Sequence, residues 1–361
     1  MPSLCGMHSW EVASAARRRV PTHVSDGETR RVALRRRAGA LVVVALLGLV
    51  LAHAAFAGDP AGLSPRGPDS PQAGRIEDIY WLLIAITGAI FILVEGALIL
   101  FVIRFRNRGR SRTLEGPQIH GATRLELIWT AIPVVILAAI VAFVLVKLPG
   151  INSFESARAA GQELTVKVEG RQFYWNFVYP NGVIQVERMR IPADRDVKLV
   201  ISSEDVDHSW WIPSLQGKLD AIPGKTNTLK FSADRTGTFK GQCGEFCGYE
   251  HPHMVATVEA LPSTDFQSWY DKEAQAQGSG TSDLGKMTFQ GVCATCHGFQ
   301  GQGGYGPDLR GNPIFGQPDA IKTLLRNGGI KMPAVGRGWD NRQMNALLAY
   351  VKRFAGSGSG G

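Results

Sequence analysis

Cys243-Gly-Glu-Phe-Cys247-Gly-Tyr-Glu-His251-Pro-His-Met254 is the stretch from which the rest of the chain can be read. Thiol, imidazole and thioether donors gathered this tightly select soft metals, copper or zinc, over hard cations. A structural zinc site usually offers closely spaced cysteine pairs and no Met. Met254 and the wider spacing between Cys243 and Cys247 therefore favour copper. Two thiolates on one loop can bridge two copper ions, each completed by one imidazole and one weak donor. The second imidazole must come from elsewhere, and His208 in Asp205-Val-Asp-His-Ser-Trp-Trp is the candidate. The alternative is a disulfide between Cys243 and Cys247, as export compartments permit. His253 is spaced less aptly from Cys247 and is read as facing solvent.

Outward from this loop, residues 162–261 run in short alternating segments broken by Gly and Pro. Leu164-Thr-Val-Lys-Val-Glu, Val197-Lys-Leu-Val-Ile, Thr226-Asn-Thr-Leu-Lys-Phe and Met254-Val-Ala-Thr-Val each read as a strand with one buried face. Pro180-Asn-Gly and Ile222-Pro-Gly supply turns. About seven strands without helical period predict an antiparallel all-β sandwich or barrel over residues 151–262.

Further back, two apolar runs are long enough to cross a bilayer, Ile79 to Ile103 and Leu127 to Leu148. Arg104, Arg106, Arg108, Arg110, Arg112 and Arg124 lie between them against Glu115 and, at the very end, Glu126, which places the connection in the cytoplasm. Residues 58–150 are thus a transmembrane helical hairpin, and everything after it faces outward. The formal net charge of +8 comes largely from such clusters at membrane flanks, so no nucleic-acid partner is expected. Arg35-Arg-Arg, the apolar run that follows and Ala55-Phe-Ala describe a signal peptide within residues 1–57, with a third membrane helix as the alternative. Glu95 lies in mid-span, where a lipid-facing charge is costly, and is expected to face a neighbouring subunit.

Beyond the sandwich, residues 263–284 read as a flexible linker containing Gly278-Ser-Gly-Thr-Ser. Residues 285–356 form a small all-α domain, and residues 357–361 a disordered tail. This domain contains Cys293-Ala-Thr-Cys296-His297, the C-x-x-C-H spacing of covalent c-type haem attachment. Two thiols add to the haem vinyl groups and His297 is placed to reach the iron. Gly306-Pro-Asp-Leu and Lys331-Met332-Pro follow in the manner of class I cytochromes c, making Met332 the sixth-ligand candidate. Met287 and Met344 are read as packing residues. From Thr281 to Gly356 nine Lys or Arg stand against four Asp, a net +5 suited to docking on acidic Glu204, Asp205 and Asp220.

The hairpin, Asp205-Val-Asp-His-Ser-Trp-Trp-Ile-Pro-Ser-Leu, Lys218-Leu-Asp-Ala-Ile-Pro-Gly and the Cys243–Met254 block resemble subunit II of cytochrome c oxidases. With its attached haem domain the chain resembles the caa-type form of that subunit. The resemblance implies a cupredoxin fold holding the dinuclear copper A centre. Cys243 and Cys247 would be the bridges, with His208, His251, Met254 and the Glu245 carbonyl as the remaining ligands. It also implies that the Glu245 carboxylate binds magnesium at the boundary with subunit I. Gly170-Arg-Gln-Phe-Tyr-Trp resembles the family's aromatic stretch beside copper A, where a Trp usually receives electrons. Phe173 stands at that place here, while Tyr174 and Trp175 match the pattern better; these three are the candidate points at which electrons arrive, and core filling is the alternative. Glu126 resembles a Glu that starts a proton-uptake channel, or it is simply an acid favourable to a helix start.

The expected function follows from that resemblance. Electrons would pass from a donor through c-type haem to copper A and on to subunit I, a proton-translocating oxidoreductase that reduces oxygen to water. Subunits I and III, cytochrome c or a bc-type complex as donor, and membrane lipid are the expected partners. The expected location is a bacterial plasma membrane, with both redox domains on the outer side. A quinol oxidase subunit, a nitrous-oxide reductase domain and a free electron carrier are rival readings, opposed respectively by the intact copper ligands, the membrane hairpin and the two-helix anchor.

Overall fold

The computed structural model describes residues 67–106, 118, 121–152, 163–193 and 195–356. The proposed signal peptide and the C-terminal tail lie outside the described residues.

Two long helices open the described chain, α1 (Pro71–Phe105) and α2 (Thr123–Asn152). Both are apolar around their whole circumference and expose Leu, Ile, Val and Phe in mid-span, as lipid-facing helices do. The Ser70 hydroxyl accepts a hydrogen bond from the Ala73 amide and caps α1. Near the outward end Lys147 of α2 pairs with Asp78 of α1 at 2.6 Å, tying the hairpin together.

The next segment is a two-sheet sandwich built from β1 (Leu164–Arg171), β2 (Tyr174–Val178), β3 (Ile184–Val186), β4 (Arg188–Pro192), β5 (Val197–Ser203), β6 (His208–Trp210), β7 (Leu219–Ala221), β8 (Asn227–Phe231), β9 (Gly237–Gln242) and β10 (Val255–Leu261). One sheet has the order β3-β2-β1-β5-β8, the other β4-β10-β9, and β6 pairs with β7. The alternation legible in β1 and β5 is realised as alternate burial, with Val166, Val168, Leu199 and Ile201 inside. The expected purely antiparallel pattern needs correction. β1 runs parallel to β5, and β4 parallel to β10, because the chain crosses between sheets before returning. Local alternation cannot reveal such pairings.

The stretch expected to be a flexible tether also departs from expectation. Residues Ser263–Ser279 form helix α3, which packs on the sandwich. Phe266 is buried in the sandwich core and stacks on Tyr270 at 5.4 Å. Farther along, the Gln277 amide accepts from Ile184 N at 2.9 Å and donates to Ile184 O at 2.8 Å, capping the open edge of β3 as another strand would. The aromatic residues of α3 are what override its Gly/Ser-rich end.

The C-terminal domain contains α4 (Leu284–Thr288), a π-turn (Phe289–Cys293), α5 (Ala294–His297), α6 (Pro318–Asn327) and α7 (Asn341–Val351). Gly285 allows α4 to cross α7, since a Cβ there would lie 2.1 Å from the Ala346 carbonyl oxygen. Phe289, Leu325, Met344, Leu347 and Phe354 fill its core, and the same core includes Tyr174 and Val186 from the sandwich. The two domains therefore share apolar packing.

Candidate functional site

Two segments meet at one end of the sandwich: β6, and the β9–β10 connection with the short turn His251–His253 inside it. His208, Cys243, Cys247 and Met254 are 0%, 3%, 4% and 0% exposed. The Cys243 sulfur lies 3.8 Å from His208 Nδ1 and 3.2 Å from the Glu245 carbonyl oxygen. The Cys247 sulfur lies 3.5 Å from His251 Nδ1 and 3.8 Å from the Met254 sulfur. Each thiol thus has an imidazole nitrogen and a weak donor beside it. Both cysteines are free thiols, which gives the disulfide alternative no support. His253 instead pairs with Glu250 at 2.6 Å and points outward.

Charge at this cluster is arranged for cations. His208 Nε2 donates to Asp205 Oδ1 at 2.9 Å, and its Nδ1 faces the Cys243 sulfur. Burial alone would push the Asp205 carboxyl up, but hydrogen bonds from His208 and the Gln172 and Val206 amides hold it below the usual carboxylate range. A hydrogen bond from Cys247, opposed by burial and aided by His208, pulls the Cys243 thiol well below its ordinary range. That same bond, with burial, pushes Cys247 well up. The pair gives up one proton readily and the second only when positive charge replaces it, as a metal would. The donor set therefore fits soft cations held by two thiolates.

A second cluster lines a crevice in the C-terminal domain, where Val292, Cys293, Cys296, His297, Met332 and Val335 gather. His297 Nδ1 donates to the Pro307 carbonyl at 2.9 Å, so its Nε2 carries the lone pair. Gly306 lies flat against that ring; a Cβ there would come within 2.7 Å of it. This cradle fits an axial imidazole of a covalently attached haem. Met344 is fully buried in the domain core and Met287 packs against it, whereas Met332 lines the crevice. The opposite wall comes from the sandwich: Gln172, Phe173, Tyr249 and Glu250.

Sequence comparison finds matches for all three segments of the chain. Residues 182–261 match the family described as cytochrome c oxidase subunit II, periplasmic domain, and residues 60–147 match its transmembrane domain. Residues 281–351 match cytochrome c oxidase, cbb3-type, subunit III. Cytochrome c oxidase subunit 2 of Alkalihalophilus pseudofirmus is 31% identical over 320 residues, covering 80% of this chain and 90% of that protein. The chain belongs to the cytochrome c oxidase subunit II family. The Synechocystis subunit 2 is likewise 31% identical, over 278 residues that cover 65% of this chain and 83% of that one. Among solved structures, the periplasmic domain of subunit II from Bradyrhizobium japonicum is 29% identical, covering 31% of this chain and 94% of that chain with a TM-score of 0.30.

As a cytochrome c oxidase subunit II with an added cytochrome c domain, the chain is part of a haem–copper terminal oxidase and serves where electrons enter it. It is a membrane protein with a periplasmic cupredoxin domain, and its two domains imply copper and haem as cofactors. The three aromatic candidates occupy different places. Phe173 lines the crevice and meets Tyr249 edge-on at 4.9 Å. Tyr174 is buried between the domains, donating to the Val335 carbonyl at 2.6 Å. Trp175 fills the sandwich core against His208 and Trp210. Glu126 sits in the first turn of α2, where it accepts from the Ala122 amide. The Glu245 carboxylate pairs with Lys218. Of the acids expected to attract the haem domain, Asp205 instead serves His208 and the Gln172 amide, while Glu204 lies beside Gly338 of that domain. Sequence reasoning missed Gln172, Tyr249 and Trp339, because nothing in their local spacing marks residues that work across a domain boundary.

Proposed function

We propose that Cys243, Cys247, His208, His251, Met254 and the Glu245 carbonyl hold two copper ions, and that Cys293, Cys296, His297 and Met332 hold one c-type haem. When bound, these groups supply one-electron transfer, taking electrons from a cytochrome c or bc-type donor toward subunit I, where oxygen is reduced and protons are moved. The observation that carries this reading is the shared crevice, one wall of which bears the haem-attachment residues and the other Phe173 and Tyr249, two residues from Cys247.

The protein's part is to hold the donor atoms still. Asp205 orients His208, Pro307 orients His297, and burial of both thiols excludes water, so little rearranges as charge changes. Gln172 and Phe173 lie between the crevice and the thiol loop and are the contacts by which electrons arrive. Glu245, Lys218 and Phe246, whose ring is 80% exposed, form an outward edge suited to subunit I, with the Glu245 carboxylate as a magnesium ligand once that subunit docks. Glu126 stands at the cytoplasmic mouth of α2 as a proton-channel residue. The hairpin anchors the chain in a bacterial plasma membrane beside subunits I and III, both redox domains outward.

Metal and haem content of the full chain, produced with haem-attachment machinery and copper, tests this assignment. Two coppers with a mixed-valence dinuclear paramagnetic signal and one low-spin haem are expected. One zinc and no copper would overturn it.

A further inference from the structure

The loop after Met332 runs from Pro333 to Asp340 between α6 and α7, and the structure ties it to the sandwich more than once. The Tyr174 hydroxyl donates to the Val335 carbonyl at 2.6 Å and accepts from Trp339 Nε1 at 2.8 Å. Arg171 Nη1 donates to the Arg337 carbonyl, while its Nη2 holds Glu169 at 3.1 Å. Tyr174, Arg171 and Trp339 are 0%, 3% and 3% exposed, so these bonds are shielded from competing water. Burial pushes the Tyr174 hydroxyl far above its ordinary pKa, and it remains a neutral donor. Gln343 reaches Asn176 and Arg342 reaches the Gly182 carbonyl on the flank of the same contact.

Inside the haem domain the loop is held by backbone bonds, Gly329 N to Met332 O and Gly336 N to Leu325 O, both 2.8 Å. The donors to its Val335 and Arg337 carbonyls come from the other domain. Both lie within five residues of Met332, close enough that their position sets where the Met332 side chain stands in the crevice.

We propose that Arg171 and Tyr174 of the sandwich are positioning residues for the haem: by capping the Val335 and Arg337 carbonyls they hold the Met332 loop closed, so that Met ligation depends on docking of the two domains. The inference rests on Met332 being the sixth haem ligand. The same short turn reaches the other centre, since Gln172 between them donates to the Cys247 carbonyl at 2.7 Å. One turn of the sandwich thus joins the ligand loops of both centres, and a haem domain lifted off its partner would lose both its Met hold and its link to the Cys247 carbonyl through this turn.

The test uses the full holo-chain in detergent. Tyr174→Phe removes one hydroxyl and Arg171→Gln removes the charge; the dinuclear copper signal reports folding in each. Imidazole binding to the ferric haem, read by loss of the far-red absorption of Met-ligated iron, measures how firmly the loop is closed. Losing the two bonds of the Tyr174 hydroxyl, or the Arg171 bond to Arg337, is expected to raise imidazole affinity about tenfold or more and lower the haem potential. Arg171→Lys, which keeps the charge, should recover part of the wild-type behaviour. Met332→Ala is the reference. If it keeps the far-red band, the ligand assignment fails and the inference falls with it. If Met332→Ala loses the band while both sandwich variants match wild type in imidazole affinity and potential, the inference alone is wrong.

Discussion

The backbone carbonyl of Cys247 accepts a 2.7 Å hydrogen bond from Gln172 Nε2, and the Gln172 side chain also lines the crevice that contains Cys296, His297 and Met332. A single amide therefore touches the neighbourhoods of both candidate centres. Together with the shared core around Tyr174, it makes the haem domain a docked body and not a tethered one.

Delivery through the docked domain should be insensitive to salt, because its contacts are buried and already made. His297→Ala in the assembled oxidase should nearly stop turnover with the native donor while the dinuclear copper signal persists. Stopped-flow reduction of copper across ionic strength checks this. Unchanged copper reduction in the variant would mean that the donor reaches copper directly.

The two centres should be separable by mutation. Cys247→Ser removes one of two neighbouring thiols and should abolish the dinuclear paramagnetic signal, with the haem spectrum unchanged. Loss of both spectra together would show that the haem domain folds only on an intact copper loop.

Met332→Ala should eliminate the far-red band and lower the haem potential, whereas Met287→Ala should leave both close to wild type. Redox titration with optical readout decides it. The opposite pattern would make Met287 the ligand.

Helix α3 carries an energetic prediction. Its Phe266 is buried in the sandwich core, and Phe266→Ala should cost about 3–5 kcal/mol through the cavity left behind. Thermal unfolding of the full chain should show the loss, with faster proteolysis between the domains. Wild-type stability would mean that α3 contributes no packing.

One carboxyl gives a pH signature. Glu187 sits at φ 60° on the one-residue bend between β3 and β4, against Gly291 of the haem domain, and desolvation raises its pKa to about 8. The folded state then binds a proton more tightly than the unfolded state. Its contribution to stability is full below the ordinary carboxyl pKa of about 4.5 and is lost as pH rises through about 8. Melting temperature should therefore fall between pH 5 and 8 by more in wild type than in Glu187→Gln (roughly the window set by those two pKa values). Equal slopes would remove Glu187 from the account.

The sequence by itself determined the membrane hairpin, the haem-attachment motif, the thiol loop and most strands of the sandwich. Each is written in local terms: bilayer-length apolar runs, fixed donor spacings, and a period of two. His208 was also legible, since two thiols and one imidazole on a loop require a second imidazole from outside it. The tertiary structure alone decided that β1 lies parallel to β5, that residues 263–279 fold onto the sheet edge, and that Arg171, Gln172 and Tyr174 work across the domain boundary. The physical reason is common to all three. Backbone carbonyls and edge amides look the same at every position of a sequence, and which donor meets which acceptor is settled only when distant segments pack together and exclude water from between them.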